Sequence, residues 1–428
     1  MSTAHAPSLA CASRSTRPAS RKATVACALG NALEMYDFTI YSFFAVVIAK
    51  NFFPAQSAMA SLLLSLTTFG VGFLMRPVGA VVIGRFADRQ GRKAALGLTI
   101  GLMTLGTAMI AFAPTYHQIG VLGTVILIVG RLTQGFSAGG EIGTASVFLM
   151  ESSTTANRCH NVSWQAASQG YAALVGAGIG LLLSSCLTAD ALEHWGWRIP
   201  FMLGLLIGPV GWYIRRCLPE THEAESTNQG HWRDHFDMRH TLLAIGLMAS
   251  ATISIYLFIF YMPAYLTSSL GYPQRSALAV ACVASACLAI ITPLAGRFAD
   301  RHVLRKKLLV WTIALPVVLA GPALYVLSLS NNLMLAMLVI AVLVLPGCIG
   351  SGAFFALIME AFPKRSRALG TAVSYSFGVT LFGGFSPLIA TWLTGALESP
   401  LAPALYLFVG GVISLICLAL YPENPGRE

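Results

Sequence analysis

Five ionisable side chains lie inside long apolar stretches of the sequence, namely Glu34, Asp37, Arg76, Arg131 and Glu141. Inside a membrane each would cost about 2.5 to 3.5 kcal/mol on insertion scales, so each needs a reason to be there. A carboxylate in apolar surroundings can take up a proton, and a guanidinium can bind a carboxylate through two parallel hydrogen bonds. The set therefore predicts a site that handles protons and organic anions.

Helical spacing groups these charges with other polar residues. The first apolar stretch carries polar side chains on one helical face, namely Asn31, Glu34, Asp37 and Tyr41. The fourth carries a similar stripe, namely Arg131, Gln134 and Glu141. Because such spacings keep residues on one helix face, we expect both stripes to line one internal cavity. Glu34 or Asp37 is the expected proton carrier. Glu141 beside Arg131 is the competing choice, and the alternative is that those two residues only pair with each other.

Arg76 is the expected first contact of an anionic substrate. Its neighbour Pro77 removes a backbone donor and loosens the turn. The fork of an arginine binds carboxylates with more geometric precision than a lysine ammonium. Arg131 is the expected second anion contact. The alternative for Arg76 is that it reaches the interface, about 12 Å away at 1.5 Å per residue from Gly84.

Neutral polar and aromatic residues complete the predicted site. In the fifth apolar stretch they are Trp164, Gln165 and Gln169. The apolar stretches of the second half contain no charge away from their ends, and there the candidates are Tyr256, Tyr261, Ser374 and Tyr375. Aromatic residues at membrane depth are commonly packing residues or part of the aromatic belt at the membrane interface. For each of these candidates, such a structural role is the alternative to substrate contact.

Composition places these residues in a membrane protein. Of the 428 residues, 10% are charged and 56% are hydrophobic, and the mean hydropathy is +0.71. These values argue against a soluble enzyme. The net charge of +10 comes from short basic clusters between apolar runs, which indicates membrane orientation and not nucleic-acid binding. The nine cysteines are scattered, without a CxxC pair or a Cys/His group at metal-ligand spacing, so we expect no metal and no cofactor.

Twelve apolar stretches are long enough to cross about 30 Å of hydrocarbon as helices. In the first half they cover approximately residues 24–49, 58–84, 93–113, 118–149, 161–187 and 198–216. In the second half they cover 241–268, 275–296, 308–329, 332–359, 368–394 and 402–421. We expect an all-α membrane protein of two six-helix bundles.

The bundles and their connections follow from this count. The predicted parts are an N-terminal tail (1–23), a first bundle (24–216), a solvated linker (217–240), a second bundle (241–421) and a C-terminal tail (422–428). The two tails, the linker and the even-to-odd loops hold 22 of the 27 Lys and Arg residues. This distribution predicts that both termini, like the linker, are cytoplasmic.

A charged turn recurs in both halves of the chain. GRFADR begins at Gly84 and again at Gly296, 212 positions later. Four further charges repeat with an offset of 209, namely Glu151, Arg158, Glu360 and Arg367. The two offsets differ only by a small deletion. The halves are therefore predicted to be copies of one six-helix unit.

The first turn resembles the loop signature of the major facilitator superfamily. The residues that carry this resemblance are Gly84, Asp88, Arg89, Gly91, Arg92 and Lys93. A second segment resembles the fourth-helix motif of the same superfamily through Arg131, Gln134 and Gly135. Within the superfamily, four segments are similar to the metabolite:proton symporter family, namely GNALEMYDFTIYSFF, FLMRPVGAVVIGRFADRQGRK, GRLTQGFSAGGE and WGWRIPF. SWQAASQ is similar to proton-coupled citrate and tricarballylate carriers, while YMPAYLTSSLGY is shared with osmolyte and 2-oxoglutarate carriers.

The resemblance implies a secondary transporter of a bacterial-type inner membrane that imports citrate or a related tricarboxylate with protons by alternating access. The alternatives are a dicarboxylate such as 2-oxoglutarate, or a zwitterionic osmolyte such as betaine or proline. A receptor that binds without translocating is a third alternative. Expected partners are a small carboxylate, protons and membrane lipid, without nucleic acid, and we expect a monomer.

The charged turns are expected to form a latch between the halves. We expect Asp88 and Arg92 to hold the cytoplasmic side shut, and the turn of Asp300 to do so less tightly because Val303 stands where Gly91 would align. A carboxylate in such a turn can also face a helix N-terminus. The other expected gating residues are Glu151, Arg158, Glu360 and Arg367. The alternative is that these charges only set topology.

Overall fold

A computed structural model of the chain describes most of its apolar segments. The described residues are 21–90, 92–139, 149–150, 153, 156–216, 238–302, 305–363 and 367–422. Within these ranges all regular secondary structure is helical. Two predicted site residues, Glu141 and Glu151, lie outside them, as do residues 217–237 and the side chains of Asp88 and Arg92.

The described elements of the N-terminal half include nine α-helices and one π turn. They are α1 Arg21–Phe43, α2 Ala45–Phe52, α3 Ala58–Gln90, α4 Arg92–Ala111, α5 Tyr116–Ile119, α6 Val121–Ala138, α7 Arg158–Cys186, α8 Ala189–Ala191, the π turn Leu192–Gly196 and α9 Arg198–Arg216.

In its described ranges, the C-terminal half contains eight α-helices and two π turns. They are α10 Met238–Ile255, π1 Tyr256–Tyr261, α11 Met262–Ser268, α12 Gln274–His302, α13 Arg305–Ser328, α14 Leu333–Ala361, α15 Arg367–Val379, π2 Thr380–Gly384, α16 Ser386–Ala396 and α17 Ala402–Leu420.

Helix occurs in each of the twelve predicted stretches. In the described part, nine helices are long and apolar enough to cross a membrane, or ten if the bent pair α1 and α2 is one span. A shorter apolar helix covers Gly97–Ala111. The all-helical membrane architecture is therefore as expected, while the count of twelve spans stays a prediction.

Three long helices are interrupted, and the sequence did not predict these breaks as such. The axes of α1 and α2 differ by 65°. The other two breaks are π1 and π2, which end within three residues of Pro263 and Pro387. Proline removes a backbone donor and distorts the preceding turn, which favours a break of this kind. Since π turns concentrate at functional sites, the position of Tyr256 and Tyr261 at the two ends of π1 is notable.

Glycines bring α3 and α6 into backbone contact. A methyl group added to Gly135 would lie 1.6 Å from the carbonyl oxygen of Gly72, and one added to Gly139 would lie 2.0 Å from that of Arg76. Such small residues allow helices to approach closely where lipid provides no hydrophobic driving force. The close approach fixes Arg76 of α3 next to the helix that carries Arg131.

The two halves contact each other at both ends. At the end predicted to be cytoplasmic, a methyl group on Gly352 would lie 2.6 Å from the carbonyl oxygen of Cys159. At the opposite end, one on Gly395 would lie 3.7 Å from the terminal carbon of Met59. Helix α7 packs along α12 between these levels. The described helices of the two halves therefore touch at both ends of the molecule.

Candidate functional site

Asp37 is the centre of a polar cluster built by α1, α4 and α6. Its side chain is buried and accepts a hydrogen bond from the Thr107 hydroxyl. Gln134 Nε2 donates to Thr107 Oγ1 at 2.9 Å and reaches Asp37 Oδ2 at 3.4 Å. Arg131 Nη1 donates to Gln134 Oε1 at 2.8 Å. Gln134 thus connects a buried carboxylate to a buried guanidinium.

Arg76 and Arg131 are buried with most of their donors unused. Their exposed fractions are 1% and 0%. Among the residues that the structure describes, no acceptor bonds to any of the three side-chain nitrogens of Arg76, or to Nε and Nη2 of Arg131. An unpaired buried charge is costly. These donors therefore lack an acceptor within the described ranges, which do not include Glu141.

Aromatic rings surround both guanidinium groups. The Cζ atom of Arg76 lies 4.6 Å from the ring centroid of Phe38 and 4.2 Å from that of Phe73. The Cζ atom of Arg131 lies 4.6 Å from the centroid of Phe38 and 4.5 Å from that of Tyr41. A cation over a ring face gains about 0.5 to 2 kcal/mol. The rings therefore offset part of the cost of burying both charges.

The C-terminal half meets this cluster through two tyrosines. The ring of Tyr256 packs against Phe73 with centroids 5.7 Å apart. Tyr375 accepts a hydrogen bond from Gln169 Nε2 at 3.3 Å, across the interface between the halves. Both tyrosines lie within electrostatic range of Arg76. The charged cluster of one half thus faces neutral aromatic groups of the other.

A cavity of about 60 Å³ lies on the C-terminal side of this interface. Its walls include three predicted substrate contacts, namely Gln169, Tyr256 and Tyr375. Its other polar lining residues are Ser250, Thr252, Ser254, Thr312 and Ser351. Neutral hydroxyl and amide groups of this kind can orient a polar molecule whose charge is met elsewhere.

Other predicted contacts are engaged inside one half. Asn31 donates to the Gln165 carbonyl at 3.1 Å and to Ser168 Oγ at 2.7 Å, and Gln165 Nε2 donates to Asn31 Oδ1 at 2.9 Å. These bonds join α1 to α7. Tyr261 accepts from Thr391 at 2.8 Å. Asn31, Gln165 and Tyr261 are not among the residues that line the cavity.

The remaining candidates differ in position. Glu34 is buried on the same helix as Asp37 and lies within electrostatic range of Tyr256 and Tyr375. Ser374 is fully buried, and its hydroxyl finds no hydrogen-bond partner in the described ranges. Trp164 packs edge-on against His160, with centroids 6.3 Å apart. The structure therefore brings Glu34 to the shared interface and Trp164 to the turn that begins α7.

Charged groups link the halves at the end predicted to be cytoplasmic. Both oxygens of Asp300 accept backbone N–H groups at the start of α7, from Cys159 and His160, each at 2.9 Å. A carboxylate at a helix N-terminus satisfies free donors and complements the helix dipole. Asp300 thus bonds the second half to the first.

Glu360 forms a second link at this end. Arg158 of the N-terminal half donates to its Oε1 at 3.0 Å, and Arg305 of the C-terminal half contacts its Oε2. Arg367 bonds through Nε to the Met359 carbonyl at 3.0 Å. The repeated turns therefore meet across the interface at Asp300 and Glu360.

Several residues of these clusters carried no distinguishing signal in the sequence. Phe38 and Phe73 read as ordinary apolar helix residues, and Thr107 is one of three threonines in α4. The only hint in the sequence is proximity to a predicted charge. Phe38 lies one position from Asp37, and Phe73 lies three positions from Arg76. Among the described residues, no group of three His, Cys, Asp or Glu side chains could hold a metal ion.

The sequence model of the Major Facilitator Superfamily matches residues 27–378. The chain belongs to the major facilitator superfamily. A citrate-proton symporter of Klebsiella pneumoniae is 37% identical over 87% of this chain and 85% of its own length. A proline/betaine transporter of Escherichia coli (strain K12) is 32% identical over 95% of this chain and 84% of its own length.

The major facilitator fold is also evident from a solved structure. The crystal structure of a D-xylose-proton symporter superposes with a TM-score of 0.73 at 16% identity, covering 94% of this chain and 97% of that one. At this identity the likeness concerns the fold alone. The superfamily expected from the charged turns and from Arg131, Gln134 and Gly135 is confirmed.

Proposed function

We propose that the chain is a secondary transporter that imports an organic acid anion, citrate or a related tricarboxylate, together with protons. The observation that carries the proposal is the pair Arg76 and Arg131, buried beside an interface between the halves with five side-chain nitrogens unbonded in the described part of the chain. Guanidinium groups bind carboxylates with two parallel bonds. The citrate-proton symporter among the relatives supports the same substrate class.

Proton coupling is proposed to run through Asp37. Gln134 connects this carboxylate to Arg131, so an anion that binds Arg131 weakens the positive field at Asp37 and favours its protonated form. Substrate and proton then enter the site together. Glu34, near the same tyrosines, is the second candidate, and Glu141 stays the competing one outside the described residues.

Import of a multivalent anion needs this coupling. A membrane potential of 100 mV is worth about 2.3 kcal/mol per charge moved. Inward movement of an anion alone is opposed by a potential that is negative inside. Enough protons must therefore accompany the substrate to make the transported complex neutral or cationic.

The proposed topology has twelve spans in two bundles, residues 24–216 and 241–421, in a bacterial-type inner membrane. The termini and the linker 217–240 are then cytoplasmic, as the distribution of Lys and Arg favours. In this orientation Asp300 and Glu360 hold the cytoplasmic side closed, and we place Asp88, Arg92 and Glu151 in the same latch. The transporter works as a monomer.

A second candidate substrate class is a dicarboxylate such as 2-oxoglutarate, or a zwitterion such as betaine or proline. The proline/betaine transporter among the relatives favours it. The carboxylate of such a zwitterion could bind Arg76 while its cationic group contacts the rings of Tyr256 and Tyr375. Two adjacent arginines favour the substrate with more negative charge.

Counterflow in proteoliposomes tests the proposal. Proteoliposomes that contain the purified protein are loaded with unlabelled citrate, tricarballylate, 2-oxoglutarate, betaine or proline. Entry of the same compound in labelled form is followed with and without a proton gradient. We expect exchange of the tricarboxylates, and accumulation only with the gradient. Preference for betaine or proline would favour the second candidate, and no exchange of any carboxylate would refute both.

Replacement of the arginines sharpens this test. Arg76→Lys and Arg131→Lys should each raise the KM for citrate about tenfold or more, because lysine keeps the charge and loses the parallel donors. Arg198→Lys is the matched control. Arg198 already donates to the carbonyls of His194 and Ala113, and its replacement should leave citrate KM unchanged. Equal KM values in all three variants would exclude both arginines as anion contacts.

A further inference from the structure

Phe38 occupies an unusual position in the proposed anion site. It lies beside Asp37 in α1, and its ring is shared by both guanidinium groups, with Cζ of Arg76 and Cζ of Arg131 each 4.6 Å from its centroid. The ring is 3% exposed. It also packs against Phe73, with centroids 5.0 Å apart. Phe38 is therefore the one ring, among those described, that contacts both cations.

The chemistry of this contact differs from that of an ion pair. A carboxylate partner would consume the N–H donors of an arginine, whereas a ring face attracts the cation without accepting a conventional hydrogen bond. In the described part of the chain the three nitrogens of Arg76 and two of those of Arg131 are indeed unbonded. The ring thus holds the guanidinium groups and leaves their donors to a ligand.

A shared ring also constrains the two cations relative to each other. Two arginines on separate helices repel each other and have flexible side chains, so their spacing needs a fixed support. Phe73 and Tyr41 support one guanidinium each. The backbone contact of α3 and α6 brings the two helices together, and a ring that contacts both guanidinium groups couples the positions of the side chains themselves. The carboxylates of a substrate are recognised by that spacing.

We propose that Phe38 is a positioning residue for the anion site, which holds Arg76 and Arg131 at a fixed spacing through its ring face and thereby selects substrates with two or more carboxylates. The proposal rests on the proposed function for the identity of the ligand. It assigns the selectivity to the electron-rich face of the ring and not to its volume.

The first test compares Phe38→Leu, Phe38→Tyr and Phe44→Leu in proteoliposome counterflow. Phe44 is fully buried near the end of the same apolar segment, and no described cation lies over its ring, so Phe44→Leu controls for the loss of a buried aromatic side chain. Phe38→Leu should raise the KM for citrate about tenfold, as expected for the loss of two cation–π contacts. Maximal rate should change less. Phe38→Tyr should restore the KM to within about threefold of wild type.

A second measurement separates the ring face from packing. Phenylalanine carrying one, two or three ring fluorines is incorporated at position 38, which weakens the ring face stepwise and hardly changes its shape. The citrate KM should rise stepwise with fluorination. A constant KM across the series, or an equal effect of Phe38→Leu and Phe44→Leu, would overturn the proposal even if citrate is transported. This series remains informative if Phe38→Leu fails to fold.

The ligand panel keeps the two proposals apart. If wild-type protein exchanges betaine or proline and not citrate, the proposed function fails and so does the selection of substrates with two or more carboxylates, while the positioning of Arg76 and Arg131 by Phe38 is judged by the same series on that ligand. A KM for that ligand that stays constant across the Phe38 variants would overturn the role of Phe38. If wild-type protein exchanges no carboxylate compound, both proposals are refuted.

Discussion

At the residue scale, Asp37 has the contacts of a side chain that can exist with or without a proton. It accepts from Thr107 and lies 3.4 Å from Gln134 Nε2, while its Oδ1 has no hydrogen-bond partner in the described ranges. A protonated carboxyl keeps those acceptor bonds through Oδ2. Proton uptake at Oδ1 therefore need not disrupt the cluster.

Asp37→Asn should uncouple transport from protons. Asparagine can accept from Thr107 through its amide oxygen, yet it cannot change its charge. We expect citrate counterflow to persist within about threefold of wild type, while accumulation driven by a proton gradient is lost. Asp190→Asn, at an exposed site near His194, is the control and should accumulate citrate normally. Continued gradient-driven accumulation by Asp37→Asn would assign the proton to Glu34 or Glu141.

How far the sequence predicted this cluster depends on the kind of residue. Asp37, Arg131 and Gln134 were expected to face one space because charge in an apolar helix is conspicuous and helical spacing sets its direction. Phe38 was not expected, since a phenylalanine in an apolar helix is an ordinary core residue. Its role depends on which helix packs opposite, and spacing within one helix contains no such information.

At the element scale, the turns that close one end of the molecule act as cross-links between helices. Glu360 is 8% exposed and contacts one arginine from each half. Removing this carboxylate leaves two partly buried arginine charges, 23% and 24% exposed, without their shared partner, which costs more than breaking a surface pair. The closed arrangement should therefore depend on Glu360 far more than on an exposed pair such as Lys50 with Glu193.

Glu360→Gln should open this end of the molecule. Cys159 is fully buried behind the latch, whereas Cys186 is exposed, so a variant that keeps only these two cysteines contains both a reporter and an internal standard. We expect Cys159 to be alkylated at least about tenfold faster in Glu360→Gln, with Cys186 unaffected. Glu193→Gln is the control and should not change either rate. Unaltered alkylation of Cys159 would mean that these charges only set topology.

A second element, the contact of α7 with α12, depends on glycine. A methyl group on Gly170 would lie 2.5 Å from the backbone nitrogen of Ala289, whereas nothing lies within 4 Å of one on Gly178 in the same helix. Backbone atoms cannot yield as a flexible side chain can, so Gly170→Ala should separate the halves and lower the citrate transport rate about tenfold. Gly178→Ala should transport like wild type. Similar rates in the two variants would indicate that the halves do not approach this closely during transport.

At the scale of the whole molecule, sequence analysis was most successful with the helices and least with their breaks. Helix is found in each of the predicted stretches because hydrophobic length alone decides where a chain can cross a bilayer. The 65° bend between α1 and α2 was not predicted, since neither proline nor glycine stands at Phe43 or Phe44. The packing of the helices around it, including the ring contact of Phe52 with Trp197 at 5.6 Å, accounts for such a break better than local sequence.

Contact at both ends implies that at least one end must open in every transport cycle. Met59 of α3 and Gly395 of α16 lie on opposite halves at the end away from the latch, and both are exposed. Cysteines at these two positions, joined by a short thiol-specific reagent, should lock that end. We expect citrate counterflow to fall at least about tenfold and to return on reduction. Alternating access needs each end to open in turn, so a decrease in counterflow of less than about tenfold would contradict alternating access.

A cysteine pair at Lys50 and Glu193 provides the control. Their side chains are 2.7 Å apart at the surface, yet both belong to the N-terminal half. A cross-link there joins parts that move together when the halves rock against each other, so counterflow should continue. If the Met59 and Gly395 cross-link forms in full and exchange still proceeds, the substrate must pass without separation of the halves at that end. The closed interface around Arg76, Arg131 and Phe38 would then have to admit its anion by another route.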